Sequence, residues 1–171
     1  MADTPETQAT PNGADAQQQM RFRQLAQFVR DLSFENVMAQ KGVKGEVKPE
    51  MSIRVALDAR PRAENQFEVL QKLNITSINK EGGDTLFEIE IEYVGIFEIS
   101  GLPEDQMHPF LMIECPRMMF PYIRRVVSDL TQDGGFPAFN MDQIDYVALY
   151  RNELARRQQA QAEGGDAPAQ A

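Results

Sequence analysis

The chain has no tryptophan, one cysteine and one histidine among its 171 residues. A lone cysteine, Cys115, excludes an internal disulfide and fits a reducing compartment. His108 and Cys115 together fall short of the roughly four ligands that a protein zinc site uses. As a thiol–imidazole pair they would sit about two helical turns apart, with Pro109 disturbing the geometry between them. No third side chain completes the base-and-orienter set that a nucleophile needs. There is no phosphate-binding glycine loop, no Gly-x-Ser-x-Gly elbow and no dinucleotide fingerprint. No catalytic residue, metal ligand or cofactor site is therefore expected. No apolar run is long enough to span a bilayer. The first residues are polar and acidic, without the basic start and apolar core of a secretion signal, so the expected location is the cytoplasm. Positive charge is also scarce: 17 Lys and Arg face 26 Asp and Glu, for a net charge of −9. Nucleic acid is a poor partner for such a chain, because binding it requires a basic footprint. A basic protein surface is easier to accommodate.

Charge and composition divide the chain into three. Residues 1–19 form an acidic tail without large apolar side chains beyond Met1, the signature of a segment that cannot bury a core. Residues 158–171 read the same way, with Gly164, Gly165 and Pro168. All the bases lie between Arg21 and Arg157. Residues 20–157 are expected to form one folded domain carrying a net charge of about −4, long enough for a core of its own.

Within that body the most informative stretch is Asp84–Gly101. Phe87, Ile89, Ile91 and Tyr93 alternate with Glu88, Glu90 and Glu92. A period of two puts the apolar set on one face of a strand and a row of carboxylates on the other. Such a row serves either as a solvated face that discourages edge aggregation or as a surface for a basic partner. Gly95 interrupts the pattern and predicts a bulge or bend. Three further strands are expected. The first is Asp31–Val37, with Leu32 and Phe34 facing one way and Asp31, Ser33 and Glu35 the other. The second is Met51–Asp58, and the third is Phe67–Ile78, whose apolar residues on both faces suit a central strand. Phe22–Val29 reads as a short helix or as an extended arm. Met38–Pro49 carries loop chemistry. Glu81–Asp84 is a hairpin turn, and short connections imply an antiparallel meander.

After Gly101 the period lengthens. Pro103, Glu104 and Asp105 mark a helix start, and Pro109, Pro116 and Pro121 then punctuate the stretch. The spacing predicts a short helical segment before Cys115 and a main helix over Pro116–Thr131, with either a kink or a later start at Pro121, ended by Asp133-Gly134-Gly135. Met118, Met119, Phe120, Ile123, Val126, Val127 and Leu130 make an apolar arc wider than one sheet-packing stripe. Either the helix is simply well buried, or it packs between this sheet and a second copy. Met107, Met112, Met118 and Met119 are flexible thioethers that serve equally as core filler and as an adaptable binding surface. An apolar linker with Phe136, Pro137 and Phe139 follows. A capping box at Asn140–Gln143 predicts a last helix over Met141–Gln158.

The order of these features carries a resemblance. Asp31-Leu-Ser-Phe-Glu35, Glu90-x-Tyr-x-Gly-Ile-Phe97, Phe120-Pro-Tyr-Ile-Arg124, Phe136-Pro137 and Ile144-Asp-Tyr-Val-Ala-Leu-Tyr150 together resemble the SecB family of bacterial protein-export chaperones, over nearly the whole body. The resemblance implies an α+β fold, a four-stranded antiparallel sheet with two C-terminal helices. It implies protomers paired through edge strands, and two dimers packed by their main helices into a homotetramer. It implies no catalysis. The protein would hold unfolded precursor proteins in the cytosol and pass them to the SecA motor ATPase. Asp31, Glu35 and Glu90 match the family's acidic contacts to the basic, zinc-bearing tail of SecA. Glu88 departs from the family pattern, which is apolar there; the acidic face gains a charge and gives up an apolar side chain. Holding an unfolded chain needs shallow apolar grooves that together bind tightly. Ile53, Val55, Tyr146, Tyr150 and Leu154 are the candidate groove residues. Two alternatives stay open: a small-molecule-binding or thioesterase-like enzyme whose sheet wraps a helix, and a chaperone of the same fold dedicated to one antitoxin.

Overall fold

A computed structural model describes residues 19–42 and 47–164. The expected tails lie outside these residues up to 18 and from 165 onward. Seven elements follow in order: β1 (Arg21–Glu35), α1 (Val37–Lys41), β2 (Pro49–Ala63), β3 (Gln66–Asn79), β4 (Thr85–Ser100), α2 (Glu104–Asp133) and α3 (Tyr146–Gly164). The four strands form one antiparallel sheet in the order β1-β4-β3-β2.

That order corrects the expected meander. β2, β3 and β4 are joined by tight turns, at Glu64–Asn65 and Lys80–Asp84, and do run as a meander. β1 pairs with β4 instead of β2, because the long connection from Asn36 to Lys48 lets the chain return on the far edge. This is a Greek-key arrangement. β1 is also longer than expected and takes in Phe22–Val29 as strand. Register shifts at Gln24/Ala26 and Val29/Asp31 move its alternation out of phase, so no single period of two is visible in that stretch. The Met38–Pro49 connection opens with a one-turn helix, α1. Asn36 caps it through Oδ1, which accepts the Ala39 N–H at 3.0 Å.

The core lies on one face of the sheet. Val69, Leu73 and Ile75 of β3 and Phe87, Ile89, Ile91, Phe97 and Ile99 of β4 are buried against Leu111, Cys115, Met119, Phe120, Ile123 and Val127 of α2. Gly95 lies inside this contact and is neither a bulge nor a bend, since it pairs in step with both Val69 and Gln27. A Cβ there would meet Met119 Sδ and the Phe97 ring at 2.6 Å, so glycine is required by the close approach of α2 to β4.

α2 is one helix of 30 residues with all three prolines inside it. Each proline removes an N–H and one helical hydrogen bond, a cost of about 3 kcal/mol in an unsupported helix. Burial of Leu111, Met112, Cys115, Pro116, Met119 and Phe120 around them offsets this cost, so packing overrides the breaks expected from the prolines. The arc of apolar residues divides as well. Met119, Phe120, Ile123 and Val127 enter the core, whereas Met118, Val126 and Leu130 are half-buried and Tyr122 is exposed.

α3 starts at Tyr146, after the expected capping box. Its cap is Asp145, whose Oδ1 accepts the Ala148 N–H at 2.9 Å. Met141, expected in the first helical turn, is buried in the core before α3 begins. Thr131 Oγ1 accepts the Phe139 N–H at 2.9 Å and so folds the linker back along α2. α3 continues past Gln158 to Gly164, into the region expected to be a loose tail.

Candidate functional site

Two surfaces stand out, one charged and one apolar. The charged one is the uncovered face of β1 and β4. Register sets Asp31 opposite Glu92, Ser33 opposite Glu90 and Glu35 opposite Glu88. Cross-strand partners share a face, so the pairing brings Asp31, Glu35 and Glu90 together, with Glu88 and Glu92 beside them. Carboxylates placed directly opposite each other destabilise a sheet, so this arrangement is costly unless a cation compensates it.

Internal cations compensate one end of the row. Arg30, in the register shift of β1, reaches Glu92 at 3.0 Å and Glu68 on β3 at 3.7 Å. Lys72 Nζ lies 3.4 Å from Glu92 and 3.7 Å from Glu90. Glu92 is consequently held below the ordinary carboxylate range, chiefly by its hydrogen bond from Arg30 and further by Lys72, with desolvation opposing. Asp31, Glu35 and Glu88 have no cation within ion-pair distance among the described residues. The uncompensated charge therefore concentrates where β1 ends.

Apolar side chains line two hollows, the smaller of which is also bordered by Asn152, Glu153 and Arg156. The larger, about 520 Å³, lies where β1 ends and β4 begins. One wall is Asn36, Met38 and Ala39 at the start of α1; another is Gly134, Gly135, Phe136 and Pro137 beyond α2; Leu86 of β4 and Val47 also line it. No ionisable side chain is among these lining residues. Aromatic contacts back it: Phe34 lies 5.9 Å from Phe87, and Phe87 lies 4.8 Å from Phe136, centroid to centroid. Sequence reasoning missed this hollow. Its parts were visible as an apolar linker at Phe136–Pro137 and a loop containing Met38, but only the return of β1 beside β4 brings them together. The second hollow, about 320 Å³, lies between β2 and α3 and includes Val55, Leu57, Met112, Leu149 and Tyr150.

The candidate groove residues thus separate. Val55 and Tyr150 line the second hollow together. Ile53, 38 % exposed, is on the same face of β2 as Val55, and Leu154, also 38 % exposed, is on α3; neither lines that hollow. Tyr146 is a core residue and not a groove surface in the protomer. It is 1 % exposed, and its hydroxyl meets Gln71 Nε2 at 2.6 Å. An aromatic ring at the start of a helix gives the same sequence signal whether it points in or out. Its phenol is pushed up to about 12, because burial outweighs the hydrogen bond.

The thiol–imidazole idea also fails on geometry. Cys115 is fully buried and its thiol is pushed up to about 12, first by burial and then by the Glu114 charge. His108 is at the surface, with Nδ1 3.1 Å from the Tyr150 hydroxyl. Among the described residues no group of His, Cys, Asp and Glu is arranged to hold a metal ion, and no helix is long and apolar enough to cross a membrane.

A sheet with one charged, uncovered face and hollows bounded by flexible and aromatic side chains has the features of a binding protein. Comparison with known proteins gives the family. The model of the preprotein translocase subunit SecB matches residues 15–157. The protein-export protein SecB of Ruegeria sp. (strain TM1040) is 65 % identical over 147 residues, covering 85 % of this chain and 90 % of the relative. That of Paracoccus denitrificans is 59 % identical over 162 residues, covering 94 % and 91 %. Among solved structures, a Mycobacterium tuberculosis SecB-like chaperone, in complex with a peptide from an antitoxin, superposes with a TM-score of 0.61. It is 15 % identical, covers 72 % of this chain and 91 % of its own, and shows the shared fold. The chain belongs to the SecB family and is a chaperone for protein export. That assignment removes the ground for the thioesterase-like alternative.

Proposed function

We propose that this chaperone holds unfolded precursor proteins in the cytoplasm through its apolar hollows and delivers them to the SecA ATPase through its acidic sheet face. One observation carries the reading: the larger hollow and the row Asp31, Glu35, Glu88 and Glu90 have no residue in common. A client and a basic docking segment can occupy the same protomer at once. Asp31, Glu35 and Glu90 are the docking residues, and Glu88 adds a fourth carboxylate to them. Val55 and Tyr150, with Ile53 and Leu154 nearby, extend the client path beyond the larger hollow.

A homotetramer gives the path its length. β1 is a 15-residue edge strand with Leu25, Phe28, Val29 and Leu32 exposed, the kind of edge that pairs with a second copy. The half-buried Met118 and Val126 and the exposed Tyr122 of α2 supply a second contact for pairing dimers. Several modest hollows on one assembly bind a long chain tightly through effective concentration while each contact still breaks easily. The relatives at 59–65 % identity are named protein-export proteins, which favours general export over service to a single antitoxin.

The test is the triple charge reversal Asp31→Lys, Glu35→Lys and Glu90→Lys, assayed for SecA binding and for capture of a denatured precursor. SecA binding is expected to be lost and capture retained, with light scattering giving a tetramer mass for both proteins. Retained SecA binding by a folded triple variant would refute the docking face.

A further inference from the structure

Asn36 occupies an unusual place among the residues of the larger hollow. Its Oδ1 accepts the Ala39 N–H at 3.0 Å and so caps α1. Its Nδ2 donates to the carbonyl oxygen of Gly134 at 2.9 Å, at the end of α2. One side chain thus joins the two walls of the hollow. Among the described residues no other hydrogen bond crosses from residues 36–42 to residues 134–137. Close packing supports the junction beside it. The Phe34 ring lies so near Gly134 that a Cβ there would collide with Phe34 Cζ. The join requires an acceptor and a donor on one short, planar group, and asparagine supplies both. Aspartate and serine retain the capping acceptor; ionised aspartate has no donor, and serine has one short hydroxyl in place of the two atoms with which Asn36 holds Ala39 and Gly134 at once.

We propose that Asn36 is a positioning residue for client binding. It acts as a clasp that fixes the separation of the α1 wall from the α2 wall and thereby sets how long a client segment stays in the hollow. This rests on the reading of the hollow as a client site. Losing the donor frees the α1 wall without removing its cap, so clients leave faster and the free protein breathes more at that wall. A net contribution of one ordinary hydrogen bond corresponds to a release rate about two- to tenfold higher.

The test compares the full-length protein with Asn36→Asp, Asn36→Ser and Asn36→Ala. The first readout is the release rate of a fluorescently labelled, denatured precursor. The second is amide hydrogen exchange in the client-free protein at Gln40 and Gly42, whose N–H groups bond to the Asn36 and Met38 carbonyls. All three variants are expected to release faster and to exchange faster at these two amides. A residue that only caps α1 would leave Asn36→Asp and Asn36→Ser like the parent and affect Asn36→Ala alone, and that pattern overturns the clasp. If the parent protein captures no precursor, the client reading of the hollow fails. Exchange in the client-free protein then still decides whether Asn36 holds the walls together.

Discussion

Gln71 and Tyr146 form a buried polar pair whose energetics follow from its geometry. Both are at most 1 % exposed, and the phenol oxygen lies 2.6 Å from Gln71 Nε2. Among the described residues Gln71 Oε1 has no partner. Tyr146→Phe strips Gln71 of its remaining bond and leaves the whole amide buried and unsatisfied, a loss of about 1–3 kcal/mol. Gln71→Leu strands the Tyr146 hydroxyl, with a loss in the same range of about 1–3 kcal/mol. The double variant removes both polar groups and also the unbonded Oε1. Its stability should return to near the parent value, giving a coupling as large as the two single losses together, about 2–6 kcal/mol. Urea unfolding at one fixed protomer concentration measures this, since assembly makes apparent stability depend on concentration, and an unchanged slope confirms comparable unfolded states. Precursor capture by the folded variants should match the parent, because Tyr146 contributes no surface. A double variant as unstable as the sum of the two singles would refute this account of the pair. Loss of capture in a fully folded Tyr146→Phe protein would return Tyr146 to the groove.

Two further outcomes follow from particular contacts. Gly95→Ala places a methyl group against Met119 and Phe97, and should destabilise the protein by about 1–3 kcal/mol through overpacking, read as a lower urea midpoint; an unchanged midpoint would mean that α2 stands farther from β4. The Glu92 carboxyl lies below its ordinary 4.5 because of Arg30 and Lys72. A depressed folded value means that its contribution to stability is present above 4.5 and is lost as pH falls through the folded pKa. Arg30→Gln should raise the Glu92 midpoint toward 4.5 in an NMR titration, and an unmoved midpoint would place the compensating charge elsewhere.

How much of this was legible in the sequence varied with the range of the interaction. β4 was readable because Phe87–Tyr93 alternates steadily with Glu88–Glu92, and Asp31 and Glu35 share a face by the same period; that they lie beside Glu90 follows from the register of β1 on β4. The partner of β1 was not readable, because strand order is set by a long connection and not by local pattern. Its first half was obscured by two register shifts. Proline at three positions implied breaks in α2, but burial along its inner face outweighs them. The larger hollow is built from four separate segments, none conspicuous alone. Compensation by Arg30 was also out of reach, since the side chain crosses from β1 to Glu68 on β3.

The most direct test of the central claim, that an unfolded chain is held in the hollow between α1 and the end of α2, is site-specific photo-crosslinking. A photoreactive residue replaces Ala39, which lines the hollow at its exposed side, or Glu64, exposed in the β2–β3 turn at the opposite end of the sheet. A denatured precursor is expected to crosslink strongly from position 39 and weakly from position 64, and the refolded precursor from neither. Equal crosslinking from both positions, or none from position 39, would contradict the claim.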